Sequence, residues 1–363
     1  VRARDYRFAI ADLRLKYRAF GPVWILFIIV LTVGRPVFAA PKTDNDIPPR
    51  LDASISNGLA FLAKQQRPDG AFETGGTKVA TTSLSILAFL AAGQTPDLGK
   101  YGLTLHGAVD WLLSQQTPDG YFGANDRGMY AHAIATLALA ELYGVEGNPQ
   151  QRSKIHAALE KAAGIIIAAQ NAPKSNPVFV GGWRYDRNSP DSDLSLSGWN
   201  VLALRAAQDV GIAVPPQVRK RALDFVLHCF DENAKAFAYQ PGSGAQAGDT
   251  AIGVLCLYLV GAADNEAARV DGAFKYLDAH AIDDSFPYVY YATFYITQAA
   301  FQRDGQAWTH LGRAALERLI RTQDKDGGWP QSKAGQEPGR VYATAMAVQS
   351  LCVPYRLLPS FQR

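Results

Sequence analysis

Apolar positions along the chain fall into two alternating kinds of helical segment. In the first kind they recur every three or four residues on one face, as at Leu51, Ile55, Leu59 and Leu62, or at Leu105, Val109 and Leu112. That is the spacing of an amphipathic helix with one side in water. In the second kind nearly every position is apolar or small: Ala131 to Ala140 is interrupted only by His132 and Thr136, and Ala251 to Val260 reads the same way. A helix without a polar face has to be covered on several sides, so these segments form an inner layer and the amphipathic ones an outer layer. Inner segments are expected to begin near Val79, Met129, Asp193, Asp249, Tyr290 and Val341, which makes six helical hairpins.

The turns between the two kinds repeat as well. Phe61 to Phe72 and Trp111 to Phe122 both run from an apolar helix end through Gln-Gln and Pro-Asp-Gly to an aromatic residue. Leu319 to Trp329 is a third copy, and Gln170 to Gly181-Gly182-Trp183 a stretched fourth. Weaker turns lie around Phe237–Gly242 and Asp283–Pro287. Asp-Gly stops a helix and supplies a residue tolerant of positive φ, so these turns are structural first. Six hairpins without atypical end units suggest a closed all-α ring, an αα-toroid with inner and outer helix rings; an open helical solenoid is the alternative.

Composition narrows the setting. The 363 residues, 48% hydrophobic, are enough for a large core, and 36 basic against 33 acidic residues leave a net charge of only +3, with no nucleic-acid footprint. Arg2, Arg4, Arg7, Arg14, Lys16 and Arg18 precede an apolar run from Pro22 to about Val33 and the small residues Ala39 and Ala40. Residues 1–40 therefore read as a signal peptide, or as an N-terminal membrane anchor that would be the only membrane contact. Either way the expected location is exported, periplasmic or extracellular. A linker over 41–50, the toroid over 51–356 and a tail over 357–363 follow. Cys229, Cys256 and Cys352 are odd in number, lie in apolar helical contexts and read as buried thiols.

These repeats resemble the glutamine–tryptophan motifs of squalene cyclases, and Gly181-Gly182-Trp183 followed by Asp193 resembles the signature of protein prenyltransferase β subunits. The resemblance to this prenyltransferase/squalene cyclase family spans about Leu51 to Arg356 and implies the toroid fold. It also implies two chemistries to look for. Prenyltransferases hold zinc with an Asp-x-Cys pair and a later His; here those positions read Asp193-Leu194-Ser195 and Tyr342-Ala343-Thr344, so one ligand of three remains and no metal or other cofactor is expected. Squalene cyclases protonate an alkene with the central acid of Asp-x-Asp-Asp; here Asp191-Ser192-Asp193-Leu194 keeps two acids of three, and Gly248-Asp249-Thr250 matches only the motif's tail.

Asp193, with Asp191 beside it, is accordingly the candidate catalytic acid, though the plainer reading of Asp193 is a helix N-cap that satisfies free backbone amides. In a toroid the starts of the inner helices surround one end of the central cavity. Its lining is expected to include Thr81, Tyr130, His132, Trp183, Tyr185, Asp249, Tyr290, Tyr291 and Tyr342. Aromatic faces there suit an apolar ring, a sugar or a cation, or plain packing; His132 among Ala and Leu suits a core histidine as well as a ligand contact. Three functions fit. The first is an exported toroid that binds an isoprenoid, a glycan or a protein partner without the family's chemistry. The second is a terpenoid cyclase using Asp193. The third is a carbohydrate-active α/α barrel pairing Asp191 or Asp193 with Asp249.

Overall fold

The computed structural model describes Pro48, residues 50–359 save 125 and 281, and Gln362. The signal-peptide or anchor segment and most of the linker lie outside the described residues. Outer helices are α1 (Leu51–Gln65), α3 (Gly102–Ser114), α5 (Pro149–Gln170), α7 (Pro216–His228), α9 (Ala267–Ala279) and α11 (Arg313–Thr322), the last led in by a π-helical turn, Trp308–Gly312. Inner helices are α2 (Lys78–Ala91), α4 (Met129–Val145), α6 (Leu194–Asp209), α8 (Ala247–Leu259), α10 (Val289–Arg303) and α12 (Arg340–Cys352). Every inner helix starts within two residues of the expected position. The one departure from all-helical structure among the described residues is a two-residue hairpin, β1 (Phe230–Asp231) with β2 (Ala236–Phe237), in place of the fourth turn, together with isolated bridges.

The inner helices pack in chain order, and α12 returns against α2; on the outside α11 meets α1. The ring is closed, which removes the solenoid alternative. All but the ends of the inner helices are buried, whereas α1, α3 and α7 bury one face. The residue pattern thus acts through solvation: a helix without a polar face is stable only inside.

A repeated device locks each hairpin to the next. The glutamine at or just past the end of an outer helix donates twice through its amide, once to the turn glycine of its own unit and once to a carbonyl on the following outer helix. Gln66 bonds Gly70 and Thr104 (3.0 and 2.8 Å), Gln116 bonds Gly120 and Ala158 (3.0 and 2.8 Å), and Gln170 bonds Gly181 and Val218 (2.8 and 2.9 Å). Gln323 bonds Gly327 and Ser54 (2.8 and 2.9 Å) and so ties the last unit to the first. Each turn glycine has φ near +90 to +101° and lies against the next outer helix three residues beyond the clamped carbonyl, at Gly107, Lys161, Arg221 and Asn57. A side chain there would strike that helix and strain the backbone.

The aromatic residue after the turn is clamped from the other side. The N–H groups of Phe72, Phe122, Trp183, Phe237 and Trp329 donate respectively to Thr82, His132, Ser197, Thr250 and Thr344, all in the first or second turn of an inner helix (2.9–3.2 Å). Trp183 and Trp329 also bond an outer-helix carbonyl through the indole, Ile166 and Leu319, at 2.8 Å each. Gln170 is 2% exposed. Replacing it with Ala leaves two buried carbonyls without their donor, an expected loss of about 2–3 kcal/mol in urea unfolding. An unchanged unfolding midpoint would show that the clamp is not what joins the hairpins.

Candidate functional site

The N-termini of all six inner helices open on one mouth of the ring. Their free N–H groups are met partly by loops reaching back from the following unit: Met129 donates to Tyr185 O and Leu194 to Tyr239 O (2.8 Å each). Val79 donates to the Asp126 carboxylate (2.6 Å), and Tyr290 and Tyr291 to that of Glu337 (3.1 and 2.9 Å). Six positive helix ends in one place favour carboxylates there. Burial nevertheless pushes Asp126 above its ordinary value and Glu337 up to about 7.

Asp193 caps α6. One oxygen accepts from the Leu196 N–H (2.8 Å) and the Ser195 hydroxyl (3.0 Å), and the other from Arg184 (3.1 Å). Burial leaves its carboxyl above the ordinary value, although the Leu196 N–H, Arg184, Ser195 and Tyr239 pull it down. Every neighbour donates to it, so both oxygens are committed. Asp191 is held by the same guanidinium at 3.3 Å and by Gln240 at 3.1 Å. Arg184 also donates to the Tyr239 hydroxyl (3.2 Å) and lies 5.5 Å from the ring centres of both Tyr185 and Tyr239.

Asp249, in the first turn of α8, differs from both. It is 9% exposed and has no hydrogen-bond partner among the described residues. Burial, and then the charge of Asp193, push it up to about 7. Burial raises both carboxyl groups, but Asp193 is surrounded by donors and Asp249 has none.

Below them the axis is filled. Tyr130 of α4 and Tyr291 of α10 come from opposite sides of the ring, yet their ring centres are 6.4 Å apart, and Trp199 of α6 lies 6.2 and 6.4 Å from them. Tyr291 also donates to Ser195 O at 3.2 Å, and Tyr295 and Phe294 pack behind. At this level the barrel is closed by aromatic rings, with Trp199 wholly buried.

Of the residues expected to line the cavity, Tyr130, Asp249 and Tyr291 meet at this floor and Tyr185, 42% exposed, stands on the rim. Tyr342 is buried close enough for Tyr130 and Tyr295 to act on its hydroxyl. Four sit elsewhere. His132 takes the place that Thr or Ser holds in other units: one ring nitrogen accepts from Phe122, the other bonds Ala162 O at 3.0 Å, and burial lowers it to about 4, so it is a neutral tie between the two rings of helices. Trp183 is 1% exposed in the wedge between α5 and α6. Tyr290 turns to Pro330 O at 2.7 Å, and Thr81 is wholly buried with its hydroxyl 2.9 Å from that of Thr77. Trp199, Arg184 and Tyr239 were not in the expected set. Arg184 was legible in principle, since two carboxylates two residues apart call for a cation nearby.

The zinc site implied by the resemblance is not supported by its donors. Asp193 has both oxygens committed, Ser195 spends its hydroxyl on Asp193, and Ala343 offers no donor. No cluster of three or more metal-ligating side chains occurs among the described residues.

Residues 50–173 and 187–356 match the prenyltransferase alpha-alpha toroid domain. No curated protein sequence matches. Among solved structures, an α-1,6-mannanase of Salegentibacter, an inactive variant in complex with α-1,6-mannotriose, superposes with a TM-score of 0.60 at 11% identity, over 85% of this chain and 99% of that one. A type II terpene cyclase from Scytonema gives 0.54 at 16% identity over 85% and 99%, and the same cyclase is known in complex with geranylgeranyl dihydroxybenzoate. A possible member of the GH105 family from Klebsiella pneumoniae gives 0.55 at 16% over 91% and 99%. At these identities the structures speak for the fold alone, but the domain match covers most of the chain, and the protein belongs to the prenyltransferase α/α-toroid family.

Proposed function

We propose that this toroid binds a small molecule at the mouth of its inner ring and does not transfer prenyl groups. The observation that carries this reading is Asp249, a nearly buried carboxyl without a partner, set over an aromatic floor beside two carboxylates that are fully engaged. The Asp249 oxygens still reach solvent, so a bound group can take the place of water on them. The mannotriose and the geranylgeranyl dihydroxybenzoate bound by toroids of the same fold support a ligand rather than name it. The basic and apolar N-terminal segment supports export as part of the same proposal.

A second reading, terpenoid cyclisation, is favoured by one feature: Asp249 holds a proton near neutrality, so a proton is available to give, although no partner strengthens its acidity. Asp249, not Asp193, would then be the acid. A glycosidase would need two free carboxyl groups about a sugar, and of Asp191, Asp193 and Asp249 Arg184 holds the first two.

Native mass spectrometry of the purified chain tests the binding reading. A co-purifying molecule retained by the wild type and lost from Tyr130→Ala is the expected result; a ligand-free wild type would count against it. Incubation with squalene-type polyenes tests the second reading, where cyclic product lost in Asp249→Asn and kept in Asp193→Asn is expected.

The ionisation of Asp249 has its own consequence for stability. Because its folded value lies above 3.8, its contribution is fully present below about pH 4 and is lost as pH rises through about 7. Asp249→Asn removes that loss, so the variant is expected to be more stable than wild type at pH 8, by about 3–4 kcal/mol at most, and no more stable at pH 4. Equal unfolding midpoints at both pH values would show that Asp249 is well solvated.

A further inference from the structure

One of the repeated ties between turn and inner helix is built from a titratable group. In four hairpins the N–H of the turn aromatic is held by a hydroxyl, that of Thr82, Ser197, Thr250 or Thr344, which does not change its protonation between acid and neutral pH. In the second hairpin the partner is His132, which is wholly buried. Its Nδ1 accepts from the Phe122 N–H at 3.2 Å, so the ring proton sits on Nε2 and is donated to Ala162 O at 3.0 Å. Both nitrogens are committed, and only the neutral ring fits, because a proton added at Nδ1 faces the Phe122 N–H donor against donor.

A charged ring would find no free carboxylate to meet it. The Tyr121 ring packs against the imidazole, with 5.1 Å between centres, and the Arg187 guanidinium lies 4.5 Å from the centre of Tyr121. Asp119 of the turn, the acid that acts on His132, is spent on Arg187 at 2.7 Å and on the Thr117 hydroxyl. Lys161, next to Ala162 on α5, reaches Pro118 O at 3.4 Å, and on α4 the Thr136 hydroxyl turns back to His132 O. Burial, with Arg187 adding to it against Ala162 O and Asp119, lowers the ring to about 4. That value lies below the ordinary 6.5, so the tie is whole above about pH 6.5 and weakens as pH falls toward about 4.

What hangs from this tie reaches the mouth. Just beyond Phe122, Asp126 crosses to α2 and accepts from the Val79 and Ala80 N–H groups at 2.6 and 3.3 Å. Arg187, which rests on Tyr121, belongs to the loop whose Tyr185 O receives the Met129 N–H at the start of α4. We propose that His132 is an acid-operated latch: protonation frees the Phe122 turn, the loop carrying Asp126 lets go of α2, and the mouth opens on that side while the hydroxyl-tied hairpins stay closed. The latch does not depend on what the mouth binds.

Hydrogen–deuterium exchange of the full chain, read by mass spectrometry at pH 7.5 and pH 5 and corrected for the intrinsic exchange rate, follows each turn separately. At pH 5 the wild type is expected to lose about tenfold or more of its protection in the peptide carrying Phe122 and in the first turn of α2, while peptides carrying Phe237 and Trp329 change by less than about threefold. His132→Gln, whose amide can make both bonds without titrating, is expected to lose less than about threefold throughout. Asp126 titrates alike in both proteins, so the difference between them isolates His132. His132→Thr, the residue that three other hairpins carry at this place, gives the same comparison where the glutamine variant does not fold. No loss in the wild type, an equal loss in wild type and variant, or a loss shared by the Phe237 and Trp329 peptides overturns the latch. A loss confined to the Phe122 turn, with α2 still protected, overturns the opening of the mouth.

Discussion

The ring depends on one amide group used the same way at four of its junctions. Each clamping glutamine satisfies two carbonyls that belong to different hairpins, so the distance and angle between neighbouring outer helices are set by the reach of a single side chain. The turn glycine makes this possible by letting its backbone rest directly on the next helix. Hydrophobic burial explains why the inner helices are inside; the clamps explain why successive hairpins turn by the amount that brings the sixth back to the first. At the fourth junction Tyr276 to Ala245 O (3.1 Å) and Glu232 with Arg269 (2.8 Å) substitute, and at the fifth Arg318 pairs with Asp284 of the turn (3.2 Å).

The same geometry makes the mouth an electrostatic focus. Inner helices that all run in one direction bring their positive ends together, and the chain answers with Asp126, Asp193, Asp249 and Glu337. Three of these four accept backbone N–H groups and act as caps. Asp249 is the exception, and its isolation only has meaning against the others, which show what the helix ends ordinarily require.

The architecture was legible because it is written in periodicity and repetition, both local properties of a sequence. The alternation of one-sided and all-round apolar helices located every inner helix, and the glutamine–glycine–aromatic turns counted the hairpins. The site was less legible because it is made by residues far apart in the chain. Nothing in the sequence joins Tyr130 to Tyr291, which meet only because their helices stand opposite in the ring. His132 looked exceptional among its neighbours in the chain, yet once the units are superposed it stands where Thr82, Ser197, Thr250 and Thr344 stand. Conversely, Asp193 and Asp249 look alike near the starts of their helices, yet Asp193 is the N-cap, met by Leu196 N–H, Ser195 and Arg184, while Asp249 lies inside the first turn and meets none of them.

Ring closure bears on how such a protein comes apart. In an open array of repeats the outermost unit has one neighbour and frays first, so unfolding can proceed from the ends in steps. Here the hairpin that begins the chain is held by the one that ends it, through Gln323 on Ser54, α12 against α1 and Tyr355 bonded to Asp52. Every unit then has two neighbours and none is terminal. Losing any hairpin breaks two junctions at once and opens the aromatic centre to water, which makes a repeat protein behave as a single cooperative unit and makes the position of its chain ends a matter of covalent accident.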